Sequence, residues 1–245
     1  MEERTEYMKD REWGISGSTL KMIALITMLI DHIGAVVVAR AMYTPGFDQS
    51  FWNSIYLPMR QIGRIAFPIY CFLLVEGFLH TKNIKKYVMR MFLFAIISEI
   101  PFNLALTGNI FDLRYQNVYW ELALGLISIC ILRFLERKPY PYWLQVFGRL
   151  TTVMVFVFLA EGLQLDYGAY GILSIAVLYV CRQNKGTQLA AGALSFLWEV
   201  PAPLAFLPIA CYNGKRGKSG KYVFYAFYPA HLLILYVAAK VIGCL

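Results

Sequence analysis

The segment from Thr19 to Ala39 constrains this chain more than any other. It is an apolar run of about 20 residues, the length an α-helix needs to cross the hydrocarbon of a bilayer. Asp31 and His32 sit near its middle. Ionisable groups at that depth are costly, and their default reading is a functional site. Lys21 and His32 are eleven residues apart, almost three whole turns. They therefore share a helical face, about 16 Å apart along the axis. That face offers a cation at the membrane surface and a base or nucleophile near the midplane. A long anionic cofactor fits the arrangement, its phosphates at Lys21 and its reactive end at His32.

The rest of the chain agrees with a membrane setting. Hydrophobic residues make up 59% and charged residues only 16% of its 245 residues, with a mean hydropathy of +0.54; a soluble domain carries about 25% charged residues. The expected fold class is all-α, a polytopic bundle of membrane helices. Residues 1–18 read as a polar cytoplasmic leader and 19–245 as one transmembrane domain. The leader is not a signal peptide, because the span after it contains Asp31-His32 and no small-residue cleavage site follows. A net charge of +8 suggests nucleic acid at first sight. The basic residues cluster in short loops between apolar spans, however, which is the bias of cytoplasmic loops, and no nucleic-acid partner is needed to explain them. Cys71, Cys130, Cys181, Cys211 and Cys244 are scattered singly, a pattern that indicates neither a zinc site nor a disulfide framework. No metal is expected.

Spans are expected at Thr19–Ala41, Gln61–His80, Phe92–Leu106, Val118–Leu135, Trp143–Leu163, Tyr167–Cys181 and Tyr222–Ile242. An external loop is expected over 42–59, and a basic turn holding Lys82, Lys85, Lys86 and Arg90. Residues 187–212 have basic flanks and contain Pro201, Pro203 and Pro208. They are too short for two full spans and read as two short helices or a re-entrant hairpin. The total is about nine membrane segments. Every second loop is basic, which puts the N-terminus in the cytoplasm; the expected location is the cell's inner (cytoplasmic) membrane.

Glu99 lies nine residues beyond Arg90 and His231 ten beyond Lys221, about 13 and 15 Å into the bilayer. Both depths approximate that of His32. Asp31 points about 100° away from His32 on the same helix, so an orienting carboxylate must come from another span, and Glu99 is the candidate. The plainer alternative for these groups is a structural polar knot. Arg64 needs a carboxylate partner, Asp31 or Glu99. Glu76 and His80 share a face at i,i+4. The cations Lys21, Lys85, Lys86, Arg90, Lys215, Arg216, Lys218 and Lys221 suit either anionic headgroups or a phosphate-binding mouth. The NGKRGKSG stretch is no Walker A loop, since only two residues separate Gly214 from Gly217 and four are required.

The stretches LKMIALITMLIDHIG, IGRIAFPIYCFLLVEGFLHTKNIKKYVMRM, SEIPFNL, DYGAYG, YNGKRG and FYAFYPAHL together resemble the TraX family, in family order from about Leu20 to Leu233. That family is named for a conjugation-plasmid membrane protein that acetylates the N-terminus of pilin. It is similar in turn to the acyltransferase-three group and the lysosomal heparan acetyltransferases; in the former an arginine, ten residues and a catalytic histidine mark the first span. Lys21 and His32 match that spacing with lysine in place of arginine, which keeps the charge and loses the bidentate fork. Glu76 stands where the group's apolar motif has serine.

The resemblance implies a transmembrane acyltransferase that uses acetyl-CoA as co-substrate. Lys21, Lys86, Arg90, Lys215 and Arg216 would hold the cofactor. His32 would act as base or acetyl carrier, with Asp31 or Glu99 orienting it. Arg64, Glu76, Asn103 of the SEIPFNL motif and His231 would face an extracytoplasmic acceptor, a hydroxyl or an amine. Two other classes meet some of the same features. One is a proton-coupled transporter or flippase with Asp31, Glu99 and His231 as a relay; the other is a non-catalytic membrane component of a conjugation or pilus system.

Overall fold

The structure, a computed structural model, describes residues 13–218 and 220–243, apart from the side chains of Lys221 and Tyr222. Most of the expected leader, the Lys221 side chain and Cys244 lie outside the described residues. Every regular element among the described residues is a helix, and the only β-type pairings given are two isolated parallel bridges.

In chain order the helices are α1 (Gly17–Ile33), prolonged by a π-turn (Gly34–Val38) and a last α-turn (Ala39–Ala41), then α2 (Gln49–Gly63), α3 (Ala66–His80), α4 (Ile84–Thr107) and α5 (Val118–Glu136). They continue with α6 (Tyr142–Gly162), α7 (Gly168–Val180), α8 (Lys185–Ser195), α9 (Phe206–Ala210) and α10 (Lys221–Val241). Among the described residues six stretches are long and apolar enough to cross a membrane: Gly17–Ala41, Gln49–His80, Ile84–Thr107, Val118–Glu136, Tyr142–Gly162 and Val223–Val241. The other three expected segments are short. Helices α7, α8 and α9 have 13, 11 and 5 residues, and at 1.5 Å per residue none covers the roughly 30 Å of hydrocarbon.

Two sequence expectations are corrected. The external loop expected over 42–59 gives way at Asp48, whose carboxylate accepts from the Phe51 N–H (3.1 Å) and starts α2 at Gln49. An N-cap acid is worth about 1 kcal/mol to a helix start. The basic turn is equally short. Asn83 Oδ1 accepts from the Lys86 N–H at 2.9 Å, so Lys85, Lys86 and Arg90 belong to the opening turns of α4.

The chain forms two compact units. The second comprises Cys71–Ile96 and Leu113–Phe196. Its core gathers Leu124, Phe156, Ala160, Leu165 and Ile172, with Trp120, Ile127 and Val157 packed against them. Gly125 lets Ile175 lie on the backbone of α5, since a Cβ at 125 would collide with Ile175 Cδ1. Trp143, Phe147, Leu150, Met154 and Phe158 of α6 are exposed, an apolar exterior suited to lipid.

At one end of this unit Glu136 takes both terminal nitrogens of Arg182 (2.7 and 3.3 Å) and the Tyr179 hydroxyl proton (2.9 Å). The Arg182 guanidinium also lies 3.9 Å from the Tyr179 ring centre. Charge-assisted bidentate pairs are the strong kind. Glu136→Gln is therefore expected to lower stability by about 2 kcal/mol, read as a drop in the thermal midpoint of the detergent-solubilised protein.

The first unit comprises the described residues through Tyr70, Ile97–Asp112 and those from Leu197 onward. Its α1 buries Leu20, Ala24, Leu25 and Met28, one stripe at helical spacing. Two glycines bring α1 and α2 together. A Cβ at Gly34 would stand 3.2 Å from Met59 Cβ, and one at Gly63 would fall on the Asp31 side chain. The π-turn opens just beyond His32, and Arg40 takes the Val36 carbonyl there at 2.7 Å. Insertions of this kind are frequent at functional sites.

Candidate functional site

The first turn of α1 is built against a basic loop. Ser16 Oγ accepts from the Thr19 N–H at 3.3 Å. The N–H groups of Gly17 and Ser18, which a free helix end would leave without partners, donate to the carbonyls of Lys215 (2.8 Å) and Arg216 (3.0 Å). Ile15 N–H donates to Cys211 O at 2.9 Å and Asn213 N–H to Ile15 O at 3.0 Å. Gly217 turns the chain at φ +73°, where a side chain would strike the hydroxyls of Ser16 and Ser18. Lys215 and Arg216 are thus fixed at the end of α1 that carries Lys21.

Lys21 Nζ lies 5.4 Å from the ring centre of Phe224 on α10. Farther along, His32 Nδ1 meets His231 Nε2 at 2.6 Å. Both contacts ascend in sequence on both helices, so α1 and α10 run parallel from the same rim. Phe224 and His231 are seven residues apart, about two turns, and share a face just as Lys21 and His32 do.

The imidazole pair is held on several sides. His231 Nδ1 lies 2.7 Å from the Phe227 carbonyl oxygen. The Phe227 ring stacks on His231 with centres 4.8 Å apart and planes at 19°. Tyr228 meets both imidazoles edge-on, at 5.8 Å from His32 and 5.7 Å from His231. His231 is buried, at 4% exposure, and His32 half-buried. Between the two imidazoles the ring centres are 4.9 Å apart with planes at 17°. The excess over the nitrogen–nitrogen distance is about two ring radii, so the nitrogens lie on the line of centres. The rings are joined edge to edge in nearly one plane, the geometry of an N–H···N bond.

Two ion pairs flank the pair. Arg60 Nη1 is 2.8 Å from Asp31 Oδ2, and Arg64 Nε is 2.9 Å from Glu199 Oε1. Arg64 thus pairs with Glu199, a carboxylate the sequence did not suggest, and Asp31 is engaged by Arg60. The place beside His32 Nδ1 reserved for a carboxylate is held by His231, which the sequence reading assigned to the acceptor. Arg60 escaped that reading, although it stands one turn before Arg64, and residues four apart share a helix face.

Glu99 is half-buried and Asn103 buried on the part of α4 in the first unit. Glu76, Lys86 and Arg90 belong to the second unit. There Glu76 is buried with His80 Nδ1 at 3.8 Å, and the Arg90 guanidinium lies 5.6 Å from the Tyr87 ring. Among the described residues no group of three or more His, Cys, Asp or Glu is placed to hold a metal ion.

Six apolar spans among the described residues, a basic rim and a part-buried imidazole pair define a multi-pass helical membrane protein with a polar site between its helices. Residues 16–239 match the family described as TraX protein, and the chain belongs to that family. It is 29% identical, over 92% of its length and 96% of the relative's, to the probable fimbrial assembly protein FimC (serogroup H1) of Dichelobacter nodosus. It is 24% identical, over 69% of its length, to an uncharacterized protein of Rickettsia prowazekii, of which the match covers 57%. No solved structure matches it significantly.

Proposed function

We propose that this protein is a membrane-embedded acetyltransferase that moves an acetyl group from cytoplasmic acetyl-CoA to a hydroxyl or amine acceptor, a pilin N-terminus or another cell-surface molecule. The observation that carries the reading is the parallel pair α1 and α10, which starts at one basic rim and meets deeper at the two imidazoles. Lys21, Lys215 and Arg216 supply positive charge at the rim, on the side the loop-charge bias assigns to the cytoplasm. His32 stands about 16 Å along α1 from Lys21, a separation an extended cofactor arm can span. The fimbrial assembly role named for the Dichelobacter relative supports a surface filament as the acceptor's destination. At the far end of α1 a shallow, open groove of about 430 Å³ is lined by Ala35, Ala39, Arg40, Tyr43, Thr44 and Leu106, on the side from which such an acceptor would come.

In the direct form of the reaction His32 takes the acceptor's proton as the acceptor heteroatom bonds the acetyl carbonyl carbon. The thioester C–S bond breaks, and the departing thiolate receives that proton from His32, giving CoA thiol and the acetylated acceptor. In the alternative form the same nitrogen carries the acetyl group between the two. Arg64 or Arg60 can steady the developing oxyanion.

Titration of the purified protein with acetyl-CoA tests the reading. A ligand of the native state raises its thermal midpoint by mass action. The midpoint is expected to rise, and Lys21→Ala to need about tenfold more acetyl-CoA for the same rise, the equivalent of one charge-assisted contact. A midpoint that stays still at saturating acetyl-CoA overturns the enzyme reading in favour of a carrier or a scaffold.

A further inference from the structure

We infer that His231 is a positioning residue that fixes the tautomer of His32 and makes Nε2 of His32 the reacting atom. What that atom does rests on the acetyl-transfer reading, whereas the tautomer assignment rests on geometry alone.

The Phe227 carbonyl oxygen can only accept a hydrogen bond. His231 Nδ1 lies 2.7 Å from it, so Nδ1 carries the proton. A neutral imidazole has one N–H, and Nε2 of His231 is then an acceptor. It faces His32 Nδ1 at 2.6 Å in nearly one ring plane. The proton between them therefore belongs to His32 Nδ1. The remaining nitrogen of His32, Nε2, holds a free lone pair. A backbone carbonyl on α10 thus dictates, through one ring, which nitrogen of the next ring is basic.

The sequence sets this chain of bonds through spacing. Phe227 and His231 are one turn apart, so the carbonyl of the first and Nδ1 of the second meet on one face of α10. Stacking by Phe227 and the Tyr228 edge hold the two rings in plane. His231 differs from an orienting carboxylate in bringing no negative charge, so His32 rests as a neutral base or nucleophile. When His32 Nε2 takes the acceptor's proton, its Nδ1–H already points at a lone pair of His231, and the new charge meets a preformed acceptor.

Three variants separate positioning from packing. In His231→Gln the side-chain oxygen can replace the acceptor nitrogen that faces His32. In His231→Asn the amide can still donate to Phe227 but falls short of His32. His231→Phe fills the space with neither function. His231→Phe and His231→Asn are expected to lose about 100-fold in kcat, within the range of general acid–base effects, with the KM for acetyl-CoA within about twofold. His231→Gln is expected to recover at least about tenfold of that loss. In ¹⁵N-histidine NMR spectra of the wild-type protein, His32 is expected to be protonated at Nδ1 and bare at Nε2, and His231→Phe to abolish that preference. Wild-type kcat in His231→Phe, a His231→Gln no better than His231→Phe, or a wild-type His32 protonated at Nε2 each overturns the inference. If His231→Phe fails to fold, the comparison of Gln with Asn decides. If the wild type neither binds nor turns over acetyl-CoA, the enzyme reading falls and the NMR spectra still judge the tautomer.

Discussion

His32→Ala is expected to abolish acetyl transfer, by about 1000-fold or more, while the protein still inserts, folds and binds acetyl-CoA. The size follows from the role. Loss of a general base alone costs about 100- to 10,000-fold, and loss of a nucleophile that carries the acetyl group removes the pathway. Folding survives because the stripe that seats α1, Leu20, Ala24, Leu25 and Met28, lies on the rim side of His32 and is untouched. The loop-to-helix bonds at Gly17 and Ser18 are also about four turns away. Cofactor affinity survives because the rim cations remain. Transfer of labelled acetyl to the acceptor measures the first effect, and the acetyl-CoA-induced rise in thermal midpoint measures the second. The substitution leaves a small cavity beside His231, and added imidazole is expected to restore part of the transfer. Undiminished transfer by purified His32→Ala removes His32 from the chemistry.

The sequence carried the axis of this site but not its cross-section. Helical period alone placed Lys21 and His32 on one face, because Gly17–Ile33 is an unbroken α-helix. Counting residues from the basic ends put His231 at the depth of His32. Depth says nothing of azimuth, and only tertiary packing chose His231 over Glu99 as the neighbour at Nδ1.

The ion pairs were harder to read for the same reason. Arg60 finds Asp31 because α2 begins twelve residues before the expected second span, at Gln49 and not near Gln61. The local signal for that early start was Asp48 as N-cap, but it was outweighed by Pro45, Gly46 and a polar-aromatic stretch typical of loops. Glu199 reaches Arg64 from a turn that lies outside every regular helix. No periodicity predicts the reach of such a segment. Length decides the crossings: α8 and α9 are short, as expected over 187–212, whereas α7 is apolar enough to look like a span but has only 13 residues.

Gly63→Ala is expected to be a severely damaging single-methyl change in the first unit. Gly63 closes α2, and a Cβ there would coincide with Cβ, Cγ and Oδ1 of Asp31. Those atoms cannot swing aside. The Cβ is fixed to the α1 backbone, and the carboxylate is held by Arg60 at 2.8 Å with its other oxygen buried. Room for the methyl comes only by parting α1 from α2, which breaks the Asp31–Arg60 pair and drags the neighbouring His32 out of line with His231. Overpacking costs about 1–3 kcal/mol, and breaking one side of a buried ion pair about 3–5 kcal/mol. The sum approaches the whole stability of a typical domain, so the variant is expected to give little folded protein. Gly162→Ala is the control, since a Cβ there meets nothing within 4 Å and a helical alanine in place of glycine is neutral or stabilising. Size-exclusion profiles and thermal midpoints in detergent compare the two. Asp31→Gly and Arg60→Met added to Gly63→Ala remove the colliding atoms and the charge that would otherwise be stranded, and together are expected to recover folded protein. A Gly63→Ala protein as stable as the wild type refutes the close crossing of α1 and α2 at Asp31.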